Sequence, residues 1–202
     1  MHWIDPEHLP STDGEMERFV VNPRGEIDGL VLHGGTLVHV PPHLSAKIRA
    51  TFDCGDAVRV RGVRPRGTDM VAAVSLTATA DGRTIDDHGP DAEKDDRADD
   101  PVNPARMTVS GTVRLLLHGP KGELRGALLD DGTALRIGRK EAVAFADLLR
   151  PGAVLAASGD GVETADGRSV AVREIGPANG TLSPVNSRKH TPRDDGASDR
   201  AA

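Results

Sequence analysis

Residues 23–36 read PRGEIDGLVLHGGT, and residues 120–133 read PKGELRGALLDDGT. The two stretches are separated by a constant offset of 97 positions, and seven of their fourteen residues are identical. Without a gap, the same offset aligns Gly55 with Gly152 and Gly62 with Gly159. The chain of 202 residues therefore contains one module twice, which predicts two domains of similar fold.

Within each copy, short apolar and β-branched runs alternate with turns rich in Gly, Pro, Asn and Asp, which is typical of β-strands. Three strands, a short helix and two further strands indicate the OB-fold, a five-stranded Greek-key barrel. Another small closed barrel is the alternative. We expect a mainly β protein with two tandem OB-fold-like barrels, each with one short helix between strands 3 and 4. The expected strands lie at 18–21, 27–32, 36–40, 57–61 and 71–78, and at 113–117, 124–129, 134–137, 155–157 and 170–172.

The two helices are predicted from apolar residues that recur at helical spacing. In the first copy Leu44, Ile48 and Phe52 share one face of a helix that follows two prolines. In the second copy the predicted helix runs from Glu141 to Leu149. Each apolar stripe is expected to close one end of its barrel.

The net charge of −6 is concentrated outside the repeats. Residues 1–15 contain four acidic residues and no Lys or Arg, and we expect a flexible N-terminal segment there. Repeat 1 (16–88) and repeat 2 (106–176) are nearly neutral, which is not typical of a strongly basic nucleic-acid module. Residues 89–105 predict an extended acidic linker, and 177–202 predict a disordered tail.

Both repeats resemble an uncharacterised bacterial family of tandem OB-fold-like proteins with the patterns P-x-G-E-x-x-G and G-T-x-V-x-x-P-P-H. Repeat 1 carries the second pattern through Pro41-Pro42-His43, whereas repeat 2 departs from it at Gly138-Arg139-Lys140. The resemblance implies the fold and the binding of a nucleic acid or another ligand. It implies no particular chemistry.

Composition excludes several classes of function. The single Cys54 allows neither an intrachain disulfide nor a Cys-based zinc site, and we expect it to be a small buried residue. The first residues lack an apolar signal sequence, and no run reaches membrane-spanning length, so we expect a soluble cytoplasmic protein without membrane contact. No hydrolase, metalloprotease, P-loop or Rossmann motif is present. We therefore expect no enzyme activity and no cofactor.

Basic residues at the edges of the expected barrels suggest a surface for single-stranded nucleic acid. An OB barrel holds its ligand across strands 2 and 3, between the loop joining strands 1 and 2 and the loop joining strands 4 and 5. Arginine and lysine at these places can contact phosphates. The candidates are Arg24, Arg59, Arg61, Arg64, Arg66, Lys121, Arg125, Arg136, Arg139 and Lys140. Because Arg59 and Arg61 alternate with Val58 and Val60 on strand 4, we expect the two arginines to point outward and the two valines inward.

Two observations oppose that interpretation. Only 2% of the residues are aromatic, and the sequence offers no evident ring on strands 2 and 3 for stacking bases. Both repeats also lack an excess of positive charge. The candidates can equally be solubilising surface charges, so the alternative function is a protein-interaction or self-association module whose barrels pack on a partner or on each other.

A third function is a regulatory metal or anion site. His33, His39 and His43 lie close together in sequence, and imidazole is a common metal ligand. His39 should point outward if Val38 and Val40 point inward. Since repeat 2 has other residues at these positions, a metal site formed by His39 and His43 would belong to repeat 1 alone.

Overall fold

The computed structural model describes residues 6–89 and 103–185. The first repeat forms five main strands and a short sixth one. They are β1 (Ser11–Val21), β2 (Ile27–Leu32), β3 (Leu37–His39), β4 (Ala57–Val63), β5 (Val71–Ala78) and β6 (Thr84–Asp86). β1 pairs antiparallel with β2 and β4, and β3 pairs antiparallel with β2 and parallel with β5. Because β4 also pairs with β5, the ring β1-β2-β3-β5-β4 closes into a barrel.

The second repeat closes in the same way. Its strands are β7 (Ala105–His118), β8 (Leu124–Leu129), β9 (Thr133–Arg136), β10 (Val154–Thr164), β11 (Gly167–Pro177) and β12 (Ser183–Pro184). β7 pairs with β8 and β10, β8 pairs with β9, and β11 pairs with both β9 and β10. The predicted fold class is confirmed: the chain is mainly β, with two closed five-stranded barrels in tandem.

Residues separated by the 97-residue offset occupy equivalent positions in the two barrels. The aligned Gly62 and Gly159 each follow an irregularity in register, on β4 and β10 respectively. A Cβ at Gly62 would lie 2.1 Å from the carbonyl oxygen of Ala72, and one at Gly159 would lie 2.0 Å from that of Ala171. Both barrels therefore need glycine where the fourth strand bends against the fifth.

Two apolar cores fill the barrels. Alternation along β4 places Val58 and Val60 inside the first barrel, as predicted, while Arg59 is exposed. Leu44, Ile48 and Phe52 are buried in the same core, which confirms the predicted stripe. The helix itself, α1, spans Ser45–Thr51 and follows a 3₁₀ turn over Pro42–Leu44.

The second helix is shorter than predicted. It is α2 (Arg139–Ala144), and the chain continues through turns to Leu149, which is fully buried. Phe145 is only partly buried. The apolar spacing identified the residues that reach the core, but it did not determine how much of the segment is helical.

Several boundaries differ from the sequence-based ones. β1 begins at Ser11, five residues before the predicted start of repeat 1, because residues 11–15 pair with β4. β12 and the buried Val185 extend the second barrel beyond residue 176. Cys54 is exposed in a turn rather than buried. Most of the predicted linker (90–102) and of the predicted tail (186–202) lies outside the described residues.

Candidate functional site

The two barrels pack against each other through a third apolar cluster, separate from their cores. Six of its buried residues form three pairs related by the 97-residue offset. We call the outer surface of strands 1–3 that carries them in each barrel the pairing face. The pairs are Val20 and Leu117, Val31 and Leu128, and Leu37 and Ala134. The same surface of both repeats is thus buried, as in a symmetric dimer with an approximate two-fold axis.

An ion pair lies at this axis. Glu17 on β1 and Arg114 on β7 are again 97 residues apart, and both guanidinium NH groups of Arg114 donate to the carboxylate. The Arg114 hydrogen bonds hold the pKa of Glu17 below its usual value. The side chain of Glu17 is 15% exposed and that of Arg114 is 33% exposed, so the pair is partly shielded from water.

A second ion pair is more deeply buried. Arg136 on β9 donates to the Asp28 carboxylate and, over 3.1 Å, to the backbone oxygen of Val21. Burial raises the pKa of Asp28, and the charge of Arg136 opposes that rise. At the periphery, Arg49 Nε of α1 lies 2.6 Å from Asp166 Oδ2 in the β10–β11 turn. Apolar contacts and charge pairs both hold the barrels together.

This packing changes where a ligand could bind. The strand 2–3 surface, where an OB barrel would hold a nucleic acid, is covered in each repeat by the other repeat. Arg136 belongs to that covered surface, and its guanidinium contacts Asp28 of the first barrel. We call the contact between the two barrels the junction, and we look for a ligand surface at the loops around it.

One pair of loops at the junction brings basic residues from both barrels together. Gly122 in the β7–β8 loop packs on Pro65 in the β4–β5 loop, since a Cβ at Gly122 would lie 2.9 Å from Pro65 Cβ. Exposed Lys121 precedes Gly122, and exposed Arg64 and Arg66 flank Pro65. We call residues 64–69 and 119–123 the junction loops.

The junction loops contain three cations, Arg64, Arg66 and Lys121, and two carboxylates, Asp69 and Glu123, which gives them a net charge of +1. Arg64 donates to the hydroxyl of Thr12 at 3.0 Å. Among the residues that the structure describes, neither Arg64, Arg66 nor Lys121 forms a side-chain ion pair. These three cations are therefore available to an anion in solution.

A cleft of about 460 Å³ opens beside the junction loops and between the barrels. Its apolar part includes Leu37 and Met70 of the first barrel and Leu116 of the second. Thr68 of the junction loops and His118 at the end of β7 also line it. Burial lowers the pKa of His118, which favours the neutral form of its ring. The cleft therefore combines an apolar surface, the imidazole of His118 and two charged side chains, Arg114 and Asp69, and its volume is in the range of small-ligand sites.

The remaining basic candidates are dispersed. Arg24 is exposed in the β1–β2 loop, and Arg61 is half-buried on β4. Arg59 is bound to Asp13, with Nε 2.7 Å from Oδ1. Arg125 pairs with Glu123 at 3.0 Å. The other two, Arg139 and Lys140, are exposed at the start of α2.

No protein-family model and no curated protein matches this chain. Among the described residues, no helix is long and apolar enough to cross a membrane. What the junction can bind therefore follows from its own geometry and chemistry.

The histidines do not form a metal centre in the part of the chain that the structure describes, where no three His, Cys, Asp or Glu side chains are placed to hold a metal ion. His39 points outward, as predicted, but it is half-buried at the second barrel. Burial and the charge of Arg136 lower its pKa. His43 Nε2 lies 3.1 Å from Asp87 Oδ1, and His33 Nε2 lies 3.4 Å from Glu15 Oε1. Two arginines near His39, Arg125 and Arg136, would repel a cation.

The residues of the junction were missed from the sequence, although signals for them exist. β2 ends in Leu30-Val31-Leu32 and β8 in Ala127-Leu128-Leu129, and an uninterrupted apolar run is typical of a strand buried on both faces. The opposite charges of Glu17 and Arg114 at one repeat position are a second signal.

Proposed function

We propose that this chain is a non-enzymatic binding module that contacts single-stranded nucleic acid weakly through the junction loops. The observation that carries the proposal is the contact between Gly122 and Pro65. It places Lys121 of one barrel beside Arg64 and Arg66 of the other, all exposed and none in an ion pair among the described residues.

The fold supports this choice of surface. We further propose that the two closed five-stranded barrels are OB-folds, and their strand pairings support this assignment. Loops between strands 1 and 2 and between strands 4 and 5 flank the ligand in such barrels. Here one loop of each kind, taken from different barrels, forms the junction loops. A ligand would then contact both repeats at once without reaching the buried pairing faces.

The cleft favours a nucleic acid over other anions as the ligand. Single-stranded binding combines a basic groove with rings on which bases stack. His118 is the one aromatic ring among the described lining residues of the cleft, and its neutral imidazole can stack on a base. One ring and three cations favour weak binding.

The test is fluorescence anisotropy with labelled single-stranded DNA and RNA oligomers at low and near-physiological salt. We expect the wild-type affinity to fall steeply with salt, because each phosphate contact releases counterions. The variant R64A/R66A should bind less tightly, and its log–log salt slope should be smaller by about 1.4, or about 0.7 for each lost contact.

The matched control is R24A/R139A, which removes the same charge from exposed positions away from the junction loops. It should retain a larger share of the affinity and of the salt slope. Equal losses in both variants would indicate adsorption by overall charge and would contradict the assignment to the junction loops. Unchanged binding by R64A/R66A would also contradict it.

The second candidate is a protein-interaction module. It is favoured by the pairing faces themselves, because each barrel already buries its strand 1–3 surface against a protein partner. Absence of nucleic-acid binding even at low salt, together with a mass in sedimentation that increases with concentration, would support this alternative.

A further inference from the structure

The junction has a property that does not depend on what the loops bind: it is asymmetric in charge although its two faces are repeats. The apolar residues on the two faces are chemically similar, so any two of these barrels could bury them together. Val20 and Val31 correspond to Leu117 and Leu128, and Leu37 corresponds to the smaller Ala134. The two faces therefore differ in the size of their apolar side chains, and apolar contact selects a partner less strongly than charge does.

The charged residues at the two-fold axis do select a partner. Position 17 of repeat 1 and position 114 of repeat 2 are equivalent and meet each other, and they carry opposite charges. In a symmetric pair of two first barrels, Glu17 would meet a second Glu17. In a pair of two second barrels, Arg114 would meet a second Arg114. At these two positions, only the mixed pair brings unlike charges together across the axis, in a site that is partly shielded from water. Arg18, whose Nε lies 3.3 Å from Glu17 Oε1, belongs to the first barrel and accompanies Glu17 in every combination.

The residues away from the axis add to this selection. Asp28 contacts Arg136, whereas the two equivalent positions on the other side of the axis carry Arg125 and His39. Two second barrels would bring Arg125 against Arg136, a like-charged pair. Two first barrels would bring Asp28 against His39, losing the bond from Arg136. Repulsion thus disfavours the pair of second barrels at these positions, whereas the pair of first barrels loses only the bonds from Arg136.

We infer that the pairing faces form a heterotypic recognition surface, on which a first barrel accepts a second barrel and rejects another first barrel. The partner that this surface fits is a barrel of the repeat-2 type, either in the same chain or in a second copy of it. Within one chain the covalent connection raises the effective concentration of the correct partner, so the chain closes on itself. Between chains, the same rule permits only exchange of first for second barrels.

The experiment uses the full chain and the two single reversals E17R and R114E. Each places like charges at the axis, and we expect the equilibrium constant of folding to fall about 10- to 100-fold in urea titrations. The double variant E17R/R114E restores unlike charges across the axis with their positions exchanged, and it should be more stable than either single reversal. We expect recovery to be incomplete, because the arginine at position 17 would also lie beside Arg18, whose Nε is 3.3 Å from Glu17 Oε1. The matched control is the exposed pair within one barrel: reversal D13R should change the constant by less than about threefold.

The decisive experiment mixes the two single variants. E17R and R114E are unfolded together in urea, refolded by dilution, and their masses measured by light scattering after gel filtration. In the mixture, the arginine introduced by E17R can meet the glutamate introduced by R114E on the other chain. The native Glu17 and Arg114 that the two variants retain can meet at the second junction, so we expect a species of twice the chain mass. Each variant refolded by itself should remain a monomer, because exchange between identical chains does not relieve the repulsion.

Three results would overturn the inference. One is a double variant as unstable as the two single reversals combined, since the charges would then not act on each other. Another is a heavier species in each variant alone. The last is the absence of a heavier species from the mixture. Nucleic-acid binding is measured separately, so its failure would not be confused with any of these.

Discussion

The substitution R136M separates the buried ion pair of the junction from its apolar contacts. The methionine keeps much of the apolar stem, but it removes the guanidinium that contacts Asp28 and the backbone oxygen of Val21. The side chains of Asp28 and Arg136 are 11% and 16% exposed, so the carboxylate would be left buried without its counterion. Breaking a buried pair costs about 3–5 kcal/mol, and we expect about 3 kcal/mol here because some exposure remains.

The assay is urea unfolding followed by circular dichroism at pH 7.5 and at pH 5. With a slope of about 2–3 kcal/mol per molar urea, a loss of about 3 kcal/mol lowers the midpoint by roughly 1 M. The loss should be smaller at pH 5. Burial already raises the pKa of Asp28, and without Arg136 the pKa rises further, so the acid can be protonated and the buried charge removed.

Two further variants make this prediction refutable. R139M removes an exposed arginine three positions along the chain and should cost less than about 0.5 kcal/mol. D28L/R136M replaces both charged groups by apolar ones and should recover most of the stability. If R136M were no less stable than R139M, or if its loss were the same at both pH values, the account of a buried charge pair at the junction would be refuted.

Three other predictions test different parts of the structure. G126A should destabilise the second barrel by more than about 3 kcal/mol in thermal melts, because Gly126 has a φ of +142° and the new Cβ would lie 1.8 Å from the carbonyl oxygen of Leu135 on β9. The control G55A should lower the free energy of unfolding by only about 1–2 kcal/mol, because Gly55 has a φ of +97° but nothing lies within 4 Å of its new Cβ. The free energy of unfolding of wild type should fall as pH drops below about 6.5, because burial and neighbouring arginines lower the pKa of His39 and disfavour its protonated form. The variant H39Q should lose less stability over that range, and equal pH profiles of the two proteins would exclude His39 as a cause. L128A should lower the free energy of unfolding in urea by about 2–4 kcal/mol, because Leu128 is buried in the cluster between the barrels. The control V143A, at an exposed position, should lower it by less than about 0.5 kcal/mol. Similar losses in the two variants would show that this cluster is not packed in solution.

The interior of each barrel was predictable because the signals there are local. Alternation from Ala57 to Arg61 placed Val58 and Val60 inside and Arg59 outside, as the structure confirms. The repeated Gly62 and Gly159 indicated equivalent backbone positions, and both proved to be strand bends. Two copies of one pattern made these local signals more reliable than either copy alone.

The junction was not predicted because its determinants are distant in sequence. The same alternation that assigns Val31 to the outside of the barrel cannot tell whether the outside faces water or another barrel. Arg136 looked like an available cation until Asp28, 108 positions earlier, was found beside it. Residues 11–15 are polar and looked unstructured, since their pairing with β4 depends on residues almost fifty positions away.

Backbone chemical-shift mapping by NMR, with a single-stranded oligonucleotide titrated into the full chain at low salt, is the sharpest test of binding at the junction loops. We expect shifts in residues 64–69 and 119–123 and near His118, with little change along β2 and β8, whose outer faces are buried between the barrels. Shifts concentrated on Ile27–Leu32 and Leu124–Leu129 would show that the pairing faces open to bind the ligand, and they would contradict the account. A spectrum that does not change would contradict the nucleic-acid proposal itself.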